Sequence, residues 1–300
     1  MQSLAIYARL VARAITGTEA ETVLYNSILR LSTQSSLHYV QPQRIASLTG
    51  IKRGCVHLVT ASSGYSGHHT IDTITNESTK DLKRLDVYGD DAFFITKHRI
   101  GDFLGVADGV GGWREHGIDP SIFSSSLMDA CKTLIDKKLI DLGPLTLKEL
   151  LSMGYKQLLE NKQCIVGSST ACIVALHKEK SILHTANLGD SGFVIIRKNQ
   201  IVHRSQEQQH YFNSPFQLAI HPTLSDPLLI ADSPDLASVS SFDVKENDFI
   251  LVGTDGVWDN LPDTAILNEI TKIKIESFNE SLVTPHKLLS SSSSSSSPLC

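Results

Sequence analysis

From residue 56 onward the chain alternates short apolar runs with turns rich in Gly, Asp and Asn. Runs at 56–61, 92–96, 103–107, 171–176, 182–186, 193–196 and 249–252 are short, bounded by turn residues and rich in β-branched and aromatic side chains, so each predicts a strand. Lys198-Asn199-Gln200 turns the chain into 201–203, which predicts a hairpin. Two helical patterns lie between the strands. The first opens at Asp119-Pro120, with Asp as N-cap and Pro as first helical residue, and presents Phe123, Leu127, Cys131, Leu134 and Ile135 on one face. The second opens on Thr146-Leu147-Lys148-Glu149, a capping-box pattern, with Leu147, Leu150, Leu151, Leu158 and Leu159 aligned. A third helix is expected over 262–275, with Ala265, Ile266, Glu269 and Ile270 at helical spacing. Strands, a helical pair, then mostly hairpin-linked strands give an α+β order rather than a βαβ alternation. The expected fold is two packed antiparallel β-sheets flanked by helices, an αββα sandwich.

The ends read differently. Residues 1–18 carry Arg9 and Arg13, hold no acid, and place Leu4, Tyr7, Ala8, Val11, Ala14 and Ile15 at helical spacing. A basic, acid-free, amphipathic helix is the pattern of a transit peptide, so the segment is expected to lie outside the fold and to address a mitochondrion, its matrix in particular. Residues 19–54 read as a poorly ordered connector, 55–280 as the folded domain, and 281–300, with serine throughout 290–297, as a disordered tail.

Composition narrows the function classes. A net charge of -5 and the absence of a basic run in the folded part argue against a nucleic-acid surface. No stretch approaches the ~18 consecutive apolar residues of a transmembrane helix. The five cysteines are widely spaced without a Cys-x-x-Cys pair, the usage of reduced thiols, with Cys131 and Cys172 in core positions. There is no phosphate-binding Gly-x-x-x-x-Gly-Lys-Ser/Thr loop, no kinase catalytic loop and no Gly-x-Ser-x-Gly elbow.

The candidate chemistry sits in the turns. Asp108-Gly109 ends one apolar run and Asp255-Gly256 ends another, while Asp90-Asp91 precedes a strand and Asp190 lies in a turn between two. Asp259 follows four residues after Asp255. Carboxylates on strand ends, without a His or Cys pair nearby, are oxygen-only donors suited to Mg²⁺ or Mn²⁺ rather than zinc. Two such ions held together can activate a water and neutralise a phosphoryl group under attack. Each Asp taken singly also reads as an ordinary turn or cap residue. His210, in a Gln-rich stretch, reads either as a substrate-side contact or as an ordinary surface residue.

Taken in order, Gly89-Asp90-Asp91-Ala92, Val106-Ala107-Asp108-Gly109-Val110-Gly111-Gly112, Gly167-Ser168-Ser169-Thr170-Ala171, Asn187-Leu188-Gly189-Asp190-Ser191 and Thr254-Asp255-Gly256-Val257-Trp258-Asp259 resemble the metal-dependent serine/threonine protein phosphatases of type 2C. The stretch 108–113, with Glu207-Gln208-Gln209-His210-Tyr211-Phe212-Asn213-Ser214-Pro215, resembles the mitochondrial branch of that family. The resemblance implies two Mg²⁺ or Mn²⁺ ions, with a looser third, at one end of the sandwich. Asp108 would bridge the pair, the Gly109 carbonyl and Asp90 would serve the second ion, Asp255 the first, and Asp190 and Asp259 the third. Phosphoserine or phosphothreonine of phosphoprotein substrates would be hydrolysed by metal-activated water without a phosphoenzyme. The family's phosphate-binding Arg shortly precedes the acidic pair; Arg84 lies two positions upstream of that place, which Asp86 takes here, and is the candidate clamp. Val110 stands where many members carry a His, so that position offers no general acid. The family's closing strand, with its own Asp ligand, has no match after Asp263. The expected sandwich is therefore incomplete at its C-terminus, and the alternative function is a catalytically impaired pseudophosphatase acting as a binding module.

Overall fold

The computed structural model describes residues 7–16, 56–65, 87–137, 141–161, 165–221 and 230–283. The expectations for 19–54, for Arg84 and for the serine tail lie outside the described residues.

The strands in chain order are β1 (Tyr7–Thr16), β2 (Val56–Tyr65), β3 (Val87–Tyr88), β4 (Asp91–Lys97), β5 (Gly101–Asp108), β6 (Gly167–Ser169), β7 (Ala171–His177) and β8 (Ile182–Leu188). They continue with β9 (Gly192–Arg197), β10 (Gln200–Arg204), β11 (Gln209–Tyr211), β12 (Ser214–Pro215), β13 (Leu218–Ile220), β14 (Ser238–Asp243) and β15 (Phe249–Gly253). Helices α1 (Pro120–Lys137) and α2 (Thr146–Leu159) follow β5, and α3 (Asp255–Trp258) and α4 (Asp263–Val283) follow β15. The pairing is antiparallel throughout, in one sheet of order β10-β9-β15-β1-β2 and another of order β14-β8-β7-β5-β4-β3.

Three apolar layers hold the sheets and helices together, and the period of two along each strand sorts residues between them. In β5, Phe103 and Ala107 face α1 and α2, whereas Leu104 and Val106 face the other sheet. In β15, Ile250 and Val252 point between the sheets while Phe249 and Leu251 meet Ile266 and Ile270 of α4. The result is the expected αββα order, and β5, β7, β9 and β15 are buried on both faces, which is why they read as unbroken apolar runs. Gly105 has a packing reason: a Cβ there would lie 2.3 Å from the ring of Phe94, its cross-strand partner.

Helix α1 begins as the sequence predicts. Asp119 accepts hydrogen bonds from the Ser121 backbone N–H at 3.0 Å and hydroxyl at 2.8 Å, and all five expected apolar positions are buried. Lys198 and Asn199 have φ of 50° and 65°, the left-handed pair that a tight hairpin between β9 and β10 requires.

Four expectations need correction. Residues 7–16 form no helix but a strand, β1, paired on one side with β2 and on the other with β15, so they belong to the sheet. The capping box of α2 does not form: Thr146 is already helical, and its hydroxyl donates to the Asp141 carbonyl while accepting from Gly143 N–H. Leu159, at the end of α2, is exposed. The last helix runs on past 275 to Val283.

Candidate functional site

The acidic turns meet because both sheets end at the same side. Strands β4 and β5 pair Asp91 directly opposite Asp108. The Thr254 hydroxyl, at the end of β15 in the other sheet, donates to Asp91 Oδ2 at 2.9 Å and so ties the two sheet ends together. Asp255 is the next residue and opens α3. Its negative charge lies close enough to Asp108 to raise that carboxyl. Asp190 lies in the connection from β8 in one sheet to β9 in the other, which brings it to the same place, and Asp259 follows the short helix.

The Asp108-Gly109 turn is held rigidly. Asp108 N–H donates to Thr170 Oγ1 at 3.1 Å, and Thr170 N–H donates back to the Asp108 carbonyl at 3.0 Å. Gly109 N–H donates to the Asp90 carbonyl at 3.1 Å. A Cβ on Gly109 would lie 2.5 Å from the Pro120 carbonyl oxygen and 2.8 Å from that of Asp90, both backbone atoms, so no other residue fits.

The electrostatics follow from this crowding. Asp108 reaches the surface only in part, and burial holds its carboxyl well above the usual range, reinforced by the negative charges of Asp91, Asp255 and Asp190. Asp190 is pushed up to about 7, first by burial and then by Asp255, with Glu207 and Asp259 adding to it. Asp259 is raised by burial, then by Asp255 and Glu207. Asp108, Asp190 and Asp259, each resisting ionisation, will accept a proton or a cation. Among the described residues no group of three His, Cys, Asp or Glu side chains is gathered tightly enough to form a ready ion cage. The arrangement is instead a ring of mutually repelling carboxylates, oxygen donors throughout, with the Gly109 backbone beside it. That donor set fits hard divalent cations.

Of the sequence-predicted site residues, Asp108, Asp190, Asp255 and Asp259 act on one another, and Gly109 adjoins them. Asp90 is placed at the rim, where its carboxylate pairs with Arg114. His210 is spoken for: Nε2 lies 2.9 Å from Asp232 Oδ2 and the ring stacks on Phe216, a structural role. Sequence reasoning assigned no part to Asp91, Glu207, Thr254 or Arg114. Asp91 and Thr254 were within reach, since each adjoins a residue already singled out. Glu207 lay within a quoted stretch without a role of its own, and Arg114 had no such signal, because its place depends on long-range folding.

Comparison with known proteins agrees with this picture. Residues 97–215 match the family model described as Protein phosphatase 2C. The chain is 49% identical over 219 residues to Protein phosphatase PTC7 homolog of Xenopus laevis, covering 72% of this chain and 70% of that protein. It is 52% identical over 194 residues to the PTC7 homolog of Homo sapiens, covering 64% and 63% respectively. Among solved structures, that of the photosystem II phosphatase PBCP is similar with a TM-score of 0.52 at 31% identity, covering 63% of this chain and 70% of that one. With its acidic turns converging at one end of an αββα sandwich, the chain belongs to the protein phosphatase 2C family, a metal-dependent family, alongside its PTC7 homologues.

Proposed function

We propose that this chain hydrolyses phosphoserine or phosphothreonine in mitochondrial phosphoproteins, using Mg²⁺ or Mn²⁺ held by the carboxylate ring. The observation that supports this most is that Asp255, from one sheet end, acts on both Asp108 and Asp190, from two other turns, and raises their carboxyls. Bound divalent ions would supply an activated water and neutralise phosphoryl charge. Asp108 is central, with the Gly109 carbonyl beside it, and would be shared by a pair of ions. Asp255 would complete the first position and Asp90, once released from Arg114, the second. Asp190 and Asp259 would hold a looser ion. Asp91 positions rather than ligates: its bond from Thr254 fixes the spacing between the sheet ends. Arg84 remains the candidate phosphate clamp from sequence. The mitochondrial assignment draws on the likeness of residues 108–113 and 207–215 to the mitochondrial branch of the family.

Phosphopeptide hydrolysis with Mn²⁺ tests the reading. Activity should depend on the metal and fall at least ~100-fold in Asp108→Ala. Full activity in that variant would rule the mechanism out. The second reading, a binding module with impaired catalysis, draws on the Arg114 guanidinium occupying Asp90. Metal-dependent turnover by this chain would dismiss it.

A further inference from the structure

Beside the carboxylate ring lies a cavity of about 260 Å³. Its walls include Val110, Trp113, Tyr211, Pro215, His221 and Ile230, and none of the described residues lining it is Asp, Glu, Lys or Arg. It is smaller than the roughly 300–1,000 Å³ of typical small-molecule sites and suits a single amino-acid side chain. It adjoins the acidic turns in the chain, since Val110 in its wall directly follows Asp108-Gly109 and Trp113 comes three residues later.

Trp113 and Gln217 in its walls are tied together through Ser168. The Trp113 indole N–H donates to Ser168 Oγ at 2.7 Å, and the Ser168 hydroxyl donates to Gln217 Oε1 at 2.6 Å. His221 differs. Both ring nitrogens are buried without a hydrogen-bond partner, and its described ring contact is a stack on Trp113, with centroids 5.4 Å apart and planes 27° from parallel. No hydrogen bond anchors that ring, so it can shift to admit another flat ring into the stack. At the cavity's lip the β11–β12 turn exposes Tyr211 at 68% and Phe212 at 94%. An aromatic residue held almost wholly in water contributes nothing to folding, and a pair of them beside a reaction centre marks a surface that meets a polypeptide.

We propose that this cavity and the Tyr211-Phe212 lip form a substrate-recognition subsite that takes an uncharged aromatic side chain flanking the phosphorylated residue. The proposal deepens the phosphatase reading and rests on it. A charged side chain would find only the imidazoles of His116 and His221 among the described lining residues, and no Asp, Glu, Lys or Arg, so it is disfavoured against an aromatic one. An aromatic ring would bury its faces against Trp113, His221 and Pro215.

The test uses phosphoserine peptides identical except for a flanking Phe, Ala or Asp. Binding of their non-hydrolysable phosphonate forms to the Mn²⁺-loaded chain is measured by calorimetry, and hydrolysis of the phosphates as kcat/KM. The Phe peptide should bind about tenfold more tightly than the Ala peptide, the scale set by burying one aromatic side chain, and the Asp peptide most weakly. Tyr211→Ser, at an exposed position that tolerates change, should narrow the ratio of Phe to Ala affinities, and His221→Asp should abolish it. Equal affinity for the Phe and Ala peptides would overturn the subsite, even with brisk hydrolysis of both. Preferential binding of the Phe peptide without any hydrolysis would support the subsite and refute the phosphatase activity.

Discussion

Asp190→Asn should stabilise the metal-stripped protein above neutral pH. The Asp190 carboxyl is almost fully buried and pushed up from 3.8 to about 7, by burial first and then by Asp255. A folded-state value above the unfolded one means that the folded protein holds the proton more tightly. Below about pH 4 the group is protonated in both states and has no effect. As the pH rises toward 7 the unfolded chain ionises freely and the folded one resists, so stability is lost across that window. Above it the full penalty applies. The displacement to about 7 corresponds to roughly 4 kcal/mol, at about 1.4 kcal/mol per tenfold change in proton affinity. Asn keeps the shape and gives up only the charge and a long contact from the Gln209 amide at 3.4 Å. A gain on the order of 2–4 kcal/mol at pH 8 is therefore expected. Urea unfolding with EDTA present throughout, at pH 4 and pH 8, measures it. The two proteins should be equally stable at pH 4 and diverge at pH 8. If both lose the same stability across that range, or the variant is the weaker at pH 8, Asp190 does not share a crowded acidic cluster and the site has been misread.

Other perturbations probe separate parts of the argument. Arg114→Ala frees Asp90 from its guanidinium; because Arg114 is substantially exposed, the gain is no more than about 1 kcal/mol, seen in calorimetry as a severalfold tighter Mn²⁺ affinity, and weaker binding would contradict the competition. Gly105→Ala places a methyl against the Phe94 ring and should cost about 1–3 kcal/mol in urea unfolding, partly recovered by a second substitution, Phe94→Leu. Deleting residues 1–18 removes β1 from between β2 and β15 and exposes two strand edges, so thermal unfolding should shift down and broaden while aggregation rises; an unchanged melting curve would show that β1 is dispensable.

The central strands were legible because the sandwich buries them on both faces. Phe103 through Ala107 and Phe249 through Val252 leave no polar position, so they announce themselves as apolar runs whatever their partners. Helix α1 was legible for a different reason: its N-cap and its apolar stripe are encoded within a few neighbouring residues. The failures came where two local signals competed. Thr146 and Glu149 match a capping box, yet the Thr146 hydroxyl closes the preceding loop through Asp141 and Gly143 instead. Residues 7–16 are spaced for a helix but alternate Ala, Leu, Val and Ile densely enough to suit a strand as well. Two unpaired edges, on β2 and β15, decide between the two, and neither lies close in sequence.

The same distinction runs through the site. Asp108 and Asp255 could be singled out because a strand end followed by Gly is a local pattern, but their mutual effect arises only when the ends of two sheets coincide. The bond from Thr254 to Asp91 shows how that coincidence is held: residues 163 positions apart fix the gap across which Asp108 and Asp255 meet. Asp90 and Asp91, adjacent in sequence, part at the start of β4: Asp90 stays in the turn before it and pairs with Arg114, while Asp91 opens the strand opposite Asp108. Sequence reasoning chose Asp90 as the ligand, and nothing within the pair itself distinguishes the two. The register of β4 against β5 does, because a shift of one residue would exchange their roles. The chemistry of the centre therefore depends on sheet pairing as much as on carboxylates, and the apolar strands that carry no reactive group are what bring the charges together.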